Sequence, residues 1–163
     1  MKKNIGIAYG GYSSEYEISI KSGEFIFEIL DKNPDWNVYK VLITKEKASV
    51  LLSDDKIEEI NIKDFNFNYH NNKVKFDAIY NIIHGSPGET GEFSSLLEKI
   101  GIPQTSCSSK ICKLTFDKHE YIKFINSQAS FSKAKLDPTI INGGVLNSFN
   151  HSAKLGKSNW CIL

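Results

Sequence analysis

Arginine is absent from this sequence: all twenty of its basic residues are lysine. Carboxylates and phosphates are gripped most specifically by the planar guanidinium fork, so an anionic ligand here must rely on lysine, backbone N–H groups or another segment. An excess of one charge is also missing, since the twenty basic residues nearly cancel nineteen acidic ones. No global field therefore draws the chain to nucleic acid or to an anionic membrane, and a small-molecule role fits better. Cysteine is sparse: Cys107, Cys112 and Cys161 are odd in number and lack Cys-x-x-Cys spacing. Neither a disulfide framework nor a zinc ribbon is indicated, and ordinary reduced cysteines are expected. Long hydrophobic runs are lacking too. The opening MKKNIGIAYGG loses its apolar character at Gly10-Gly11, too soon for a signal or membrane segment, so a cytoplasmic protein is expected. There is no Gly-x4-Gly-Lys-[Ser/Thr] loop and no Gly-x-Gly-x-x-Gly, which removes support for a P-loop NTPase or a dinucleotide enzyme. No Asp/Glu/His cluster has metal-ligand spacing, and no metal site is assigned.

What is present suits one globular domain with an appendage: 163 residues, 40% apolar and 24% charged. Asn4 to Tyr9 is a short apolar run ending in Gly10-Gly11. Beyond a polar loop, Ile18, Ser22, Phe25 and Ile29 recur at helical spacing, with Ile26 and Leu30 widening the stripe. Asn33-Pro34 ends that helix, and Trp36 to Thr44 reads as a second strand, completing a β-α-β opening. From Lys45 to Asn72 the chain is charged and Asn-rich, with apolar pieces at Ser49 to Leu52 and Phe65 to Tyr69 that read as small strands among loops. Phe76 to Ile83 is near-continuously apolar, as expected of a strand buried on both faces of a parallel sheet. It runs into the loop HGSPGETGE, after which Phe93, Leu96, Leu97 and Ile100 form an amphipathic helix stopped by Gly101 and Pro103. A further helix, capped by Ser108 or Ser109, has its stripe at Ile111, Leu114, Tyr121, Ile122 and Ile125, and Lys118 shares that stripe. After about Ala129 the apolar runs become too short for a core, and the segment reads as a tail outside the domain. The fold class is α/β: an open parallel-sheet, Rossmann-like domain over residues 1–128, with a short tail, residues 129–163, that forms no domain.

In an open parallel sheet, ligands bind beyond the carboxyl ends of the strands, so GGYSSEYE and HGSPGETGE are the candidate site. Glu15 begins a helix, where a carboxylate is favoured by the helix dipole; equally, it can receive a substrate ammonium. Glu17 has the same bland explanation and less to recommend a binding role. His84 directly follows an apolar strand and precedes Gly85, where an imidazole would project into the crevice. Gly85, Gly88 and Gly91 with Pro87 make a rigid turn expected to bring Glu89 back toward His84, where a carboxylate could fix the ring's tautomer; otherwise Glu89 simply begins the next helix. Lys118 either lays its stem on the core with its ammonium in water or reaches a nucleotide phosphate. His70, His119 and His151 have no partner at ligand spacing and receive no role.

The segments GGYSSEYEISIKSG, IIHGSPGETGEFSSLLEKIGIPQTSCSS and LTFDKHEYIKF resemble successive motifs of the D-alanine-D-alanine ligases, in the family's order, over about Lys3 to Gln128. The resemblance implies the N-terminal, pre-ATP-grasp domain of an ATP-dependent carboxylate-amine ligase that makes peptidoglycan precursors for bacterial cell-wall biogenesis and cell shape. It implies Glu15 as the catalytic and substrate-binding carboxylate that meets the first D-alanine's ammonium. His84, with Gly85 and Glu89, would lie on that substrate's side of the site, and Lys118, in the position of the family's Met-Asp-Lys element, would reach ATP phosphate. Phe116 replaces the usual Met of that element, and Ser106 stands where Gly is common before the serine-rich turn. D-alanine, ATP and Mg2+ are the implied ligands, with the metal and adenine sites outside this chain. The resemblance also leaves room for a homodimer, as in the family.

The tail, LDPTIINGGVLNSFNHSAKLGKSNW within residues 131–163, resembles a stretch of UDP-N-acetylmuramate-L-alanine ligase. Three functions therefore stand side by side: an N-terminal ligase part inactive on its own, a noncatalytic small-molecule-binding module, and a fragment of the muramate-alanine ligase. ATP hydrolysis with D-alanine separates the first two, and binding of a UDP-linked muramic acid would mark the third.

Overall fold

The structure is a computed structural model, and the residues it describes are 1–52 and 56–127. The chain divides into two compact units, Met1–Lys113 and a second beginning at Leu114. The tail expected from residue 129 onward, and the muramate-ligase resemblance of residues 131–163, lie outside the described residues.

The first unit is built on β1 (Lys3–Gly10), which is buried from Gly6 to Gly10. After it come α1 (Tyr16–Leu30) and β2 (Trp36–Ile43), which pairs in parallel with β1 along its whole length, from Lys3↔Trp36 to Gly10↔Ile43. The expected β-α-β opening is therefore present. Two short strands, β3 (Ala48–Leu51) and β4 (Ile57–Glu59), add antiparallel to β2, while β5 (Asn66–Tyr69) and β6 (Asn72–Lys75) form a separate hairpin. His70 and Asn71 turn that hairpin with φ of 47° and 61°, the left-handed pair that a two-residue turn matched to strand twist requires. The strand β7 (Ala78–Asn81) returns to the main sheet on the free side of β1, again parallel, giving the order β4-β3-β2-β1-β7. The sheet is thus mixed, parallel through β2-β1-β7 and antiparallel toward β4; the strand expected over Phe76 to Ile83, buried on both faces, is the shorter β7, in which Ile79 alone is buried. Beyond β7 the chain at Pro103 to Thr105 adds a further rung, with the Ile79 amide donating to the Pro103 carbonyl and the Thr105 amide to the Ile79 carbonyl.

Core packing is dominated by aromatic edges. Phe65, fully buried at φ 47°, meets Phe93 edge-on at 5.6 Å between ring centroids, and Tyr39 meets Phe67 at 5.2 Å. Such pairs contribute roughly 0.5–1.5 kcal/mol beyond their buried area. They anchor the β5–β6 hairpin and the helix α2 (Glu92–Ile100) to the sheet. The predicted stop after Ile100 is realised by Gly101, whose amide donates to the Leu97 and Glu98 carbonyls. Glu98 then holds the next turn by accepting from both the amide and the hydroxyl of Ser109, each at 2.7 Å.

Two expectations are corrected. The α1 stripe of Ile18, Phe25 and Ile29 does not face the sheet: these side chains are 53%, 62% and 47% exposed, while Ser19 and Gly23 form the buried face. The reason is steric, because the helix is drawn so close to β1 that a Cβ on Gly23 would lie 2.6 Å from the base of the Tyr9 ring. The single helix expected after Ser108 is two helices, α3 (Ser109–Phe116) and α4 (Lys118–Ser127), because Asp117 breaks the run and its carboxylate accepts from the His119 and Glu120 amides at 3.0 and 3.1 Å. Ile122 is buried in α4, whereas Lys118 is exposed at its first position. Among the cysteines, Cys112 is a buried thiol that donates to the Cys107 carbonyl at 3.4 Å.

Two predictions follow from this packing. Gly23→Ala gains up to about 1 kcal/mol of helix propensity but forces a methyl against Tyr9, at an overpacking cost of about 1–3 kcal/mol; thermal melting should show a net loss of several degrees, and a rise would refute the close α1–β1 contact. Asp77 is held below its ordinary pKa of 3.8 by the Asn4 amide and then Lys3, and Glu98 below its ordinary 4.5 by the Ser109 hydroxyl and amide. A carboxyl depressed in the folded state stabilises above its unfolded pKa and loses that contribution as pH falls through the folded one. Stability should hold down to about pH 5 and decline below it, and Asp77→Asn should flatten that decline in urea unfolding measured across pH.

Candidate functional site

The order β2-β1-β7 places chain neighbours on opposite sides of β1, so the loops leaving β1 and β7 diverge at a crevice beyond the strands' carboxyl ends. Glu15 and His84 leave these two adjacent parallel strands.

The first loop starts at Gly10 and Gly11, both with positive φ. A side chain is barred from Gly11 by the Ser86 carbonyl, 2.7 Å from where its Cβ would stand, so the backbones of the two loops touch. Tyr12 continues that contact through its amide, which donates to the Ser86 carbonyl at 3.0 Å, and through its hydroxyl, which donates to Glu92. Burial and then the Glu92 hydrogen bond push the Tyr12 phenol above its ordinary pKa, so it remains a donor at neutral pH.

Ser13 connects the two predicted residues. Its hydroxyl donates to the His84 carbonyl at 2.9 Å and accepts the Glu15 amide at 3.1 Å. Glu15 occupies the cap position of α1 at φ −94°, ψ 12°, yet its side chain makes no capping hydrogen bond. The helix-dipole explanation for this carboxylate needs no hydrogen bond and stands beside the binding one. Its Oε2 lies 3.1 Å from the position a Cβ on Gly85 would take. Gly85 is at φ +70°, and a side chain there would also strike Ser13, so glycine is what admits the carboxylate over the second loop.

His84 is half-buried, and its Nε2 lies 3.4 Å from the Ser22 hydroxyl of α1. Glu89 donates its amide to the Gly85 carbonyl at 2.7 Å, which closes the turn expected from the glycines and Pro87; the Ser86-Pro87 peptide is cis. Its carboxylate is exposed, and no hydrogen bond or ion pair joins it to the imidazole. Behind both loops, the fully buried Ser19 hydroxyl accepts the Gly10 amide at 2.9 Å and donates to the Ile82 carbonyl at 3.0 Å. Sequence reasoning missed Tyr12, Ser13, Ser19 and Ser22. A signal was available for Ser19, a small hydroxyl between apolar neighbours of α1, where a buried polar group needs a partner. Lys118 belongs to the second unit, exposed at the first position of α4. Among the described residues no group of three His, Cys, Asp or Glu side chains could hold a metal ion, and no helix is long and apolar enough to cross a membrane.

Comparison with known proteins gives this geometry a family. Residues 4–107 match the family described as D-ala D-ala ligase N-terminus. The chain is 44% identical over 125 residues to a D-alanine--D-alanine ligase of Christiangramia forsetii, covering 77% of the chain and 38% of that protein. It superposes on the crystal structure of D-alanyl-alanine synthetase A from Vibrio cholerae with a TM-score of 0.68 at 29% identity, covering 77% of the chain and 37% of the other. The D-alanine--D-alanine ligase of Bacillus anthracis, crystallised with ATP, superposes with a TM-score of 0.53 at 27% identity, covering 77% and 34% of the two chains. The chain spans well under half the length of the relatives it matches. With an α/β sheet whose two glycine loops converge on Glu15 and His84, and with that match over most of the first unit, the chain belongs to the D-alanine-D-alanine ligase family and corresponds to its N-terminal part.

Proposed function

We propose that residues 1–128 form the first-substrate wall of an ATP-dependent D-alanine-D-alanine ligase. The observation that carries this reading is the Glu15 carboxylate, unused as a helix cap and laid over Gly85 between the exits of β1 and β7. An amino-acid ligand brings an ammonium, and a carboxylate beside a backbone-lined turn is the complementary group for it. Glu15 receives that ammonium, His84 and the Gly85 backbone form the adjoining wall, and Glu89 adds an exposed carboxylate on the same loop. Lys118 reaches a phosphate of ATP. Its position supports this, since a cation at the first residue of a helix opposes the helix dipole and gains little there structurally.

In the ligase reaction, the first D-alanine carboxylate takes the γ-phosphoryl group of ATP, releasing ADP. The amine of a second D-alanine then attacks the acyl phosphate, forming the peptide bond as phosphate leaves. The described residues of this chain supply orientation of the first amino acid and one cation. They bring together no acidic cluster for Mg2+, so no step through the metal is assigned to them. The proposed setting is the bacterial cytoplasm, in peptidoglycan precursor synthesis.

Glu15→Gln removes the charge from one charge-assisted contact, about 1.5–3 kcal/mol, and D-alanine affinity by calorimetry should fall at least about tenfold; equal affinity for variant and parent would remove Glu15 from the site. The 163 residues alone should form no D-alanyl-D-alanine from D-alanine, ATP and Mg2+, because phosphoryl transfer depends on positioned metal ions and cationic clamps. Dipeptide detected by mass spectrometry, with host ligase excluded, would overturn that expectation.

A further inference from the structure

The helix α1 carries two serines three residues apart, Ser19 and Ser22, and each meets the chain leaving β7. Ser19 takes the Ile82 carbonyl at 3.0 Å, and Ser22 lies 3.4 Å from the His84 ring nitrogen Nε2. Residues i and i+3 of a helix share a face. One helix face thus reads two alternate residues of the strand exit. Ser19 is explained by backbone satisfaction, since it answers two groups that the sheet leaves over. Ser22 answers no backbone group. Its one polar neighbour among the described residues is the imidazole.

That pairing bears on which ring nitrogen carries the proton. A neutral imidazole carries its proton on one nitrogen, and a hydrogen bond at the other selects which. If Nε2 donated to Ser22, the half-buried hydroxyl would have to give its own proton to water, since no described residue accepts it; if Ser22 donates to Nε2, both groups are satisfied by one bond. Glu89, the other candidate for holding the ring, makes no hydrogen bond or ion pair to it. We propose that Ser22 is a positioning residue for His84: its hydroxyl donates to Nε2, fixes the ring plane, and keeps the neutral imidazole's proton on Nδ1. The available nitrogen is then a hydrogen-bond donor. In a chain with no arginine, a neutral donor set near the Glu15 carboxylate suits the oxygen end of an amino-acid ligand whose ammonium Glu15 receives. This use of the donor rests on the ligand reading above, but the tautomer itself does not.

The test is nitrogen-15 NMR of the ring on the 163-residue chain without ligand, at a pH high enough that its shifts no longer change with pH, with the His84 signals assigned by their loss in His84→Gln. The parent protein should show Nδ1 protonated and Nε2 bare. Ser22→Ala should move the ring to a mixture rich in the Nε2-protonated form, and Ser22→Thr, which keeps the hydroxyl, should restore the parent pattern. A merely structural serine would leave the tautomer unmoved in all three proteins, and that result would overturn the proposal, as would a parent ring already protonated on Nε2. Should Ser22→Ala unfold the domain, the parent tautomer and the Ser22→Thr spectrum still decide. D-alanine titration of the same samples keeps the two readings apart: the tautomer shift present without measurable D-alanine binding in any of them upholds Ser22 and removes the ligand assignment.

Discussion

Where β1 and β7 end side by side, the chain must leave the sheet twice within a few ångströms, and the Gly10 amide and the Ile82 carbonyl are left over by the ladder. Ser19 answers both from one buried hydroxyl, accepting from the first and donating to the second. A buried backbone group without a partner costs about 1–3 kcal/mol, so a single side chain offsets two such penalties. The rest of the site depends on this arrangement, because it fixes which face of α1 looks at the strand exits and how near the helix stands.

Its consequences run along the helix. With Ser19 inward, Gly23 comes one turn later against Tyr9, where hydrogen is the only substituent that fits. The Tyr9 phenol, buried there and facing Glu24 and Tyr16, is pushed well above its ordinary pKa and stays neutral. The same rotation leaves Ile18, Phe25 and Ile29 outward and swings Ser22 to the His84 ring. An apolar stripe at 3.6-residue spacing marks a helix, but it names the buried face only when nothing else competes for that face. Here two backbone groups needing a hydroxyl compete and win.

The site itself is assembled by contacts between loops more than by either loop alone. Gly11 against Ser86, Tyr12 bridging Ser86 and Glu92, and Ser13 bridging His84 and Glu15 make the two exits one unit. The Glu15 backbone is held by its amide on the Ser13 hydroxyl, and its side chain is free of local capping duty. The groups brought together are one acidic side chain, one imidazole, and backbone-lined turns in a chain without guanidinium groups.

Much of this was legible in the linear chain. Near-continuous apolar runs ending in glycine gave β1 and β7 and their parallel pairing, Gly101 and Pro103 gave the end of α2, and the two glycine loops identified Glu15 and His84 as neighbours at strand ends. What the sequence by itself determined was the period of each segment, its stops, and the residue types available to the crevice, because these depend on local sterics and on solvent transfer of individual side chains. The strands β4 and β6 were invisible, since charged edge segments carry little apolar periodicity and take their extended form from the neighbour they pair with. Likewise, Asp117 splits the helix after Ser109 by capping amides that any helix start would offer, a choice made by backbone geometry. Only the tertiary structure decided which face of α1 is buried, that Ser22 and not Glu89 meets the imidazole, and that the Glu15 carboxylate lies over Gly85. Each of these depends on distances between segments some seventy residues apart, where hydrogen-bond satisfaction and steric exclusion act across the sheet and leave no periodic trace along the chain.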